Sequence, residues 1–336
     1  MYALEKIGKP KNIVIWRALR FRDLLNIVPA LRALRGAFPD TRVTLISLPE
    51  DVDFVTRFHA YLDDFIPFPG FPGLSNRAPD ARLFPSFLNT VQKLNFDLAL
   101  QMQGPGEAAN ALASLLGAKI TAGFYLPGSY CPDERYFLPY TEAEPDLWRY
   151  LRLIEFLGIP LRGAELEFPL FSKDWKGLQR IKEEFLLYQD YVCIHPAAGA
   201  SEIGWTPATF ARLADGLSTL GYQVVLTGNS DDGQMTQAIA LSMQARPIDL
   251  SEANLEPGVL AALISRACLV VSNDIHVSQL AAALRTPRLE LDASQAVSRR
   301  QDLSQLLEDS MDSSSPDILI QLLKQVGTVD GSGQPL

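Results

Sequence analysis

Cysteine is scarce in this chain and basic charge is outnumbered by acidic charge, and each shortage excludes whole classes of protein. The three cysteines, Cys131, Cys193 and Cys268, stand far apart in 336 residues with no CxxC pair. That argues against a disulfide framework or a zinc ribbon. Cys193 and Cys268 lie in apolar runs and read as buried small hydrophobes in a reducing compartment. Thirty Lys and Arg against 39 Asp and Glu leave a net charge of −9. A general nucleic-acid binder needs a basic face, so no nucleic-acid partner is expected. No apolar run approaches the roughly 18 residues of a membrane-spanning helix. The opening MYALEKIGKPKNIVIW lacks the apolar core of a secretory signal. The expected location is the cytoplasm, with peripheral contact to the inner face of the cytoplasmic membrane left open. No GxGxxG follows the first apolar run, which argues against a dehydrogenase. No His, Cys and acidic residues cluster at metal-ligand spacing. The DxD at Asp51 and Asp53 reads better as first-turn acids of a helix beginning after Pro49. Neither a metal nor a cofactor is therefore expected.

What is there is an alternation of short apolar runs and amphipathic stretches, carried through twice. NIVIW (12–16), VTLISL (43–48), FIPF (65–68), FDLALQM (96–102) and KITAGF (119–124) read as strands. Helical patterns fall near 23–37, 79–94 and 106–116, with a further stretch between the second and third strands. The segment 144–160, EPDLWRYLRLIEFLGIP, reads as a helix stopped by Gly158 and Pro160, followed by an extended linker through Pro169. YVCIHP (191–196), YQVVLTG (222–228), ACLVVSN (267–273) and PRLEL (287–291) then resume the strand series. Helices are predicted near 206–220, 231–244, 255–266 and 275–285. After a polar tail from about 292, PDILIQLLKQV (316–326) suggests a closing helix. Repeating βα units imply an α/β chain of two doubly wound, Rossmann-like domains, predicted over 1–165 and 166–336 and facing each other across a cleft. Ligands of such sheets gather at the carboxyl ends of the strands.

Those strand ends carry the candidate site residues. The loop after His195 contains Gly199, Ala200 and Ser201, small residues that let a main chain approach an anion closely; an ordinary βα loop explains them equally. Asp231 and Asp232 follow Thr227-Gly228 and suit either ribose hydroxyls or a helix start. In VVSNDIHVSQLAAAL (270–284) a helix tip carries Asp274, Ile275, His276 and Gln279. Asp274 can cap the helix, while the free N–H groups and dipole there can hold a phosphate. His276 and Gln279, three apart, share a face. After the first strand, Arg17, Arg20 and Arg22 crowd Asp23, whose ionised form they favour, as a base for a hydroxyl requires. Solvated arginines beside a capped helix are the bland alternative. Gln103 and Gly104 lie in the glycine-rich loop QMQGPGE.

The order of these motifs resembles glycosyltransferase family 9, the heptosyltransferase-like enzymes, from about residue 12 to 290. ALRFRDLLNIVPALRAL is similar to that family's first segment. FDLALQMQGPGEAANALASLLGAKITAGF, WRYLRLIEFLGIP, VCIHPAAGASEIGWTPATFARLADGL and VVSNDIHVSQLAAALRTP resemble four later ones in the right order. The resemblance implies a GT-B fold and an inverting, metal-independent glycosyl transfer. The donor would be a nucleotide-diphosphate sugar held by the C-terminal domain, and the acceptor a glycolipid or polysaccharide. Carried over by position, Asp23 is the expected base. Asp274 is the donor-sugar contact. Gly199, Ala200, Ser201 and the helix start at Ile275 are diphosphate contacts, and Asp231 or Asp232 is the acid on the ribose. Arg17, Arg20, Arg22, Gln103 and Gly104 fall on the acceptor side.

The chain also departs from the pattern. Arg22 stands for the family's Gly, Ile203 for its basic residue, Ile275-His276 for its Thr-Gly, and Gln279 for its His. One expectation is that His276 replaces the lost phosphate contact from one turn upstream. The alternative is a catalytically degenerate member that serves as a nucleotide-binding or assembly protein. A further alternative concerns FIPFPGFPGLSNRAPDARLFPSF (65–87), which either dips into a bilayer or packs over the core.

Overall fold

The computed structural model describes residues 8–19, 21–71, 74, 80, 82–197, 205–228 and 233–291, the side chains of Phe21 and Arg22 excepted. The suggested closing helix near 316–326 lies outside these residues. The chain divides into two compact units between Pro169 and Leu170.

The first unit is built on six strands, β1 (Asn12–Trp16), β2 (Arg42–Ser47), β3 (Asp64–Pro67), β4 (Leu98–Gln101), β5 (Ile120–Tyr125) and β6 (Phe137–Pro139). They form one parallel sheet in the order β3-β2-β1-β4-β5-β6. The β1 register sets Ile13 beside Val43 and Leu98, and Trp16 beside Ile46 and Gln101. Ile13, Val14, Ile15 and Trp16 are all buried, as a parallel strand covered on both faces requires. A 3-10 stretch (Phe21–Ile27) leads into α1 (Val28–Ala37), with Pro29 in the first turn where a missing N–H costs nothing. A short 3-10 turn (Pro49–Asp51) runs into α2 (Val52–Arg57). Then come α3 (Phe84–Lys93), α4 (Glu107–Leu115) and α5 (Asp146–Phe156). Trp16, Phe68 and Phe87 meet in the core, with ring centroids 5.8 and 5.7 Å apart. Phe68 is fully buried, and Phe71 stacks on Phe84 at 5.1 Å. The aromatic side chains at 68 and 71, read from sequence as candidate bilayer contacts, therefore belong to the packing of this unit.

The second unit opens with α6 (Ser172–Glu184). It continues through β7 (Tyr191–His195), α7 (Pro207–Thr219), β8 (Gln223–Leu226), α8 (Gly233–Ser242) and β9 (Ile248–Asp249). α9 (Pro257–Ile264), β10 (Leu269–Ser272), α10 (Ile275–Ala283) and β11 (Arg288–Glu290) complete it. Its five strands are again parallel, ordered β11-β10-β7-β8-β9. Val192, Ile194, Val224, Leu226, Leu269 and Val271 supply the sheet's part of a core that also buries Phe210 and Ile239. Three elements were not expected. β6 and β9 have three and two residues, too short to show a period. α6 buries only Asp174 and Leu178 and packs against α9, so its apolar signal is faint. Among the described residues no helix is long and apolar enough to cross a membrane.

Candidate functional site

In both sheets the chain reverses its direction of growth beside the first strand: between β1 and β4 in the first unit, between β7 and β10 in the second. In sheets of this kind the loops diverge at that point, and ligands bind in the crevice outside the carboxyl ends of the strands. Nearly every described candidate residue sits at one of these two points.

In the second unit β7 ends at His195, which is buried and hydrogen-bonds through Nδ1 with Thr227 Oγ1 at 2.9 Å, just past β8. The Ser272 hydroxyl, ending β10, donates to the His195 carbonyl at 2.7 Å and accepts the Asp274 N–H at 2.9 Å. Asn273 accepts the Ala197 N–H at 2.8 Å, so its side chain ties the two loops that flank the crevice. Asp274 caps α10: its Oδ1 takes the His276 N–H at 2.7 Å, and only 8% of the residue is exposed. The capping role weighed from sequence is thus present, and it sets the carboxylate at the positive end of a helix. Ile275 is half exposed. His276 and Gln279 are partly buried along one side of α10. Gly199, Ala200, Ser201, Asp231 and Asp232 lie outside the described residues. Trp205 is buried against Phe210, with ring centroids 5.5 Å apart.

The first unit's crevice is laced by side-chain bonds to main chain. Arg17, directly after β1, is 2% exposed. Its guanidinium donates to the Met102 carbonyl at 2.7 Å, to Asp146 at 2.9 Å and to the Asp23 carbonyl at 3.3 Å, and it also bonds the Tyr150 hydroxyl. Arg17 was expected among the acceptor contacts. Its charge is instead taken up inside the unit, where it holds α5 and the turn carrying Asp23 to the end of the sheet. Burial pushes the Tyr150 phenol up, so it stays neutral beside that charge. Arg149 completes the network through Asp146, the Thr141 carbonyl at 3.1 Å and the Glu144 carbonyl. Arg20 lies outside the described residues, and Arg22 is placed only as part of the 3-10 stretch. Asp23 sits in the same stretch, half-buried.

Gln103 Oε1 accepts the Ala18 N–H at 2.6 Å and its amide nitrogen donates to the Leu74 carbonyl at 3.1 Å. Gln101 Oε1 accepts from Gln103 N at 3.0 Å and Gly104 N at 3.3 Å, and its Nε2 donates to Asn110 at 2.8 Å. Gly104 has φ +140 with open space where a side chain would be, so backbone conformation is what calls for glycine. A Cβ on Gly123 of β5 would meet Gln101 at 2.9 Å, so the neighbouring strand makes room for that glutamine.

Asp51 is the site-side residue that sequence reasoning passed over as a helix-start acid. It is fully buried, and one carboxyl oxygen lies 2.6 Å from the Ser47 hydroxyl at the end of β2. Burial pushes its pKa up to about 6; the negative charges of Glu50 and Asp23 push the same way, against the hydrogen bonds from Ser47 and the Leu48 main chain. The i, i+4 placement of Ser47 and Asp51 across a strand end was the available signal. Among the described residues no group of three or more His, Cys, Asp or Glu is placed to hold a metal ion.

The sequence model of glycosyltransferase family 9 (heptosyltransferase) matches residues 85–304, more than half of the chain. The chain belongs to glycosyltransferase family 9. It is 33% identical over 285 residues to lipopolysaccharide heptosyltransferase 3 of Escherichia coli, covering 81% of this chain and 81% of that protein. The glycosyltransferase family 9 structure from Veillonella parvula DSM 2008 superposes with a TM-score of 0.67 at 22% identity, covering 83% of this chain and 79% of that one. The E. coli heptosyltransferase WaaC, solved with ADP-2-deoxy-2-fluoro heptose, gives a TM-score of 0.61 at 17% identity over 88% of this chain and 99% of that one. These superpositions agree with the paired parallel sheets described above, and the family makes this chain a glycosyltransferase.

Proposed function

We propose that this glycosyltransferase moves a heptose from an ADP-heptose donor to a hydroxyl of a lipopolysaccharide acceptor. The observation that carries the reading is the α10 tip at the β7–β10 switch point, where a buried Asp274 caps a helix aligned on the crevice. A helix start and adjacent main-chain N–H groups suit a diphosphate. Support for the donor and acceptor comes from the named substrates of the relatives: ADP-2-deoxy-2-fluoro heptose is bound by WaaC, and the 33% identical E. coli protein is a lipopolysaccharide heptosyltransferase.

In this reading the second unit binds the donor. Asp274 faces the sugar, Gly199, Ala200, Ser201 and the start of α10 face the diphosphate, and Asp231 or Asp232 faces the ribose. His276 supplies the phosphate contact that Ile203 and Gln279 do not. The first unit binds the acceptor, with Gln103, Gly104, Arg20 and Arg22 on its side. Asp23 takes the proton of the acceptor hydroxyl, the oxygen attacks the anomeric carbon from the face opposite the diphosphate, and the configuration inverts. N–H groups, the helix dipole and His276 stabilise the departing ADP, with no metal assigned to the step. The enzyme works in the cytoplasm, where it meets its acceptor at the inner face of the membrane.

The test is transfer itself. Purified protein is given ADP-heptose and a lipopolysaccharide core lacking its terminal heptose. The expected result is ADP release with a product heavier by one heptose, abolished by Asp23→Asn. Calorimetry with ADP separates the alternative: absence of ADP binding would mean that Arg22, Ile203, Ile275, His276 and Gln279 mark a member no longer working as a donor-dependent transferase.

A further inference from the structure

The Ser47 hydroxyl has two neighbours and one hydrogen. It lies 2.7 Å from the Arg17 carbonyl oxygen, which can only accept, and 2.6 Å from Asp51 Oδ2. If the serine hydrogen goes to Arg17, the short contact to Asp51 must be bridged by a hydrogen on the carboxyl. Were Asp51 ionised, it would draw the serine hydrogen to itself and leave the Arg17 carbonyl without it. The other carboxyl oxygen, Oδ1, is buried and has no hydrogen-bond partner among the described residues, a costly arrangement for a full negative charge. Among the described residues, the charges that reach Asp51 are both negative: Glu50 on its own turn and Asp23 on the turn after β1. Two described cations of this unit, Arg17 and Arg57, are engaged with other groups. Arg17 points its guanidinium at Met102, Tyr150 and Asp146, and Arg57 of α2 donates to the Pro169 carbonyl at 2.6 Å over the Phe168 ring. Asp53, also on α2, is exposed.

We propose that Asp51 is a proton-bearing positioning residue for Asp23. Its carboxyl O–H donates to Ser47, Ser47 donates to the carbonyl of Arg17, and the guanidinium of Arg17 holds the main chain at Asp23. The turn carrying Asp23 is thereby fixed to the ends of β1 and β2. A charge on Asp23 also raises the proton affinity of Asp51. This rests on the reading of Asp23 as the base, and it can be tested apart from that reading.

The experiment is a pH titration of protein carrying 13C-labelled aspartate carboxyls, read by NMR in wild type, Asp51→Asn and Asp23→Asn, with no substrate present. The expected result is one resonance, absent in Asp51→Asn, that titrates near pH 6 in wild type and at lower pH in Asp23→Asn. A resonance in the ordinary carboxylate range, or one unmoved by Asp23→Asn, overturns the proposal. A kinetic arm uses ADP-heptose and the lipopolysaccharide core. Asp51→Asn keeps a hydrogen for Ser47 at every pH, so kcat is expected to fall in wild type as pH rises through about 6 and not to do so in Asp51→Asn. Ser47→Ala cuts the chain and is expected to lower kcat about fivefold to tenfold, the effect of one lost hydrogen bond, with the donor KM unchanged. A kcat–pH profile identical in wild type and Asp51→Asn overturns the proposal. Full activity in Asp23→Asn would remove the base assignment while leaving the NMR result standing.

Discussion

Asp51→Asn removes one ionisation from the interior of the first unit while keeping the side chain's size and a hydrogen for Ser47. The carboxyl is fully buried and titrates near about 6 instead of 3.8. At about 1.4 kcal/mol per pH unit, ionising it in place at neutral pH costs about 3 kcal/mol relative to the unfolded chain. The sign follows from which state holds the proton. Between 3.8 and about 6 the folded chain keeps a proton at Asp51 that the unfolded chain has lost. The stabilisation from this group is therefore complete below the unfolded value and lost as pH rises through about 6. Asparagine has no such dependence. The variant's stability minus that of the wild type should rise by about 3 kcal/mol from about pH 4 to about pH 7 and then level off. Urea titrations at several pH values measure this, each resolved into its transitions, with the transition that responds to Asp51→Asn being the one compared. A difference that stays flat across this range would mean that Asp51 ionises as freely in the folded chain as in the unfolded one, and the argument from Ser47 would fail with it.

Substitutions at three other positions probe the remaining ties. Asp274→Ala should cost about 1 kcal/mol through the lost α10 cap, and Asp274→Asn should restore stability without restoring turnover, as thermal unfolding beside the transferase assay would reveal. Arg17→Met strips a buried charge from Asp146, which is 36% exposed and retains Arg149; the loss should fall near the lower end of the buried-pair range, about 3 kcal/mol, by urea denaturation. Phe68→Ser leaves a hole beneath Trp16 and Phe87 and should cost at least about 3 kcal/mol, while liposome flotation of the folded fraction stays unchanged.

Much of the fold was legible because strands buried on both faces write themselves as unbroken apolar runs. NIVIW and YVCIHP name β1 and β7 to within a residue. α6 escaped because its sequence, SKDWKGLQRIKEE, is nearly all polar and it turns just two buried side chains inward. The candidate site was legible where a single loop holds the chemistry: the capping of α10 by Asp274 is visible in the order Ser-Asn-Asp before an apolar run. Arg17 was read as an acceptor contact because its partners, Asp146 and Tyr150, lie 129 and 133 positions away, and nothing local marks a guanidinium as interior. Asp51 misled for a related reason. An acid after a proline in a first turn is ordinary, and only the parallel pairing of β1 with β2 brings the Arg17 carbonyl within reach of Ser47.

The lacing at the end of the first sheet has a consequence for anyone wishing to exchange its loops. Arg17, Ser47, the Gln101–Gln103 loop and Asp146 come from four separate stretches: Arg17, Ser47 and Gln103 fasten main chain of another stretch, Asp146 takes the Arg17 guanidinium, and Gln101 holds its own loop in shape. A chimera that exchanges only the segment after β1 would import a loop cut for different anchors and leave the old anchors empty. The exchangeable unit is the whole set, moved together with the glycine at 123 that gives Gln101 its room.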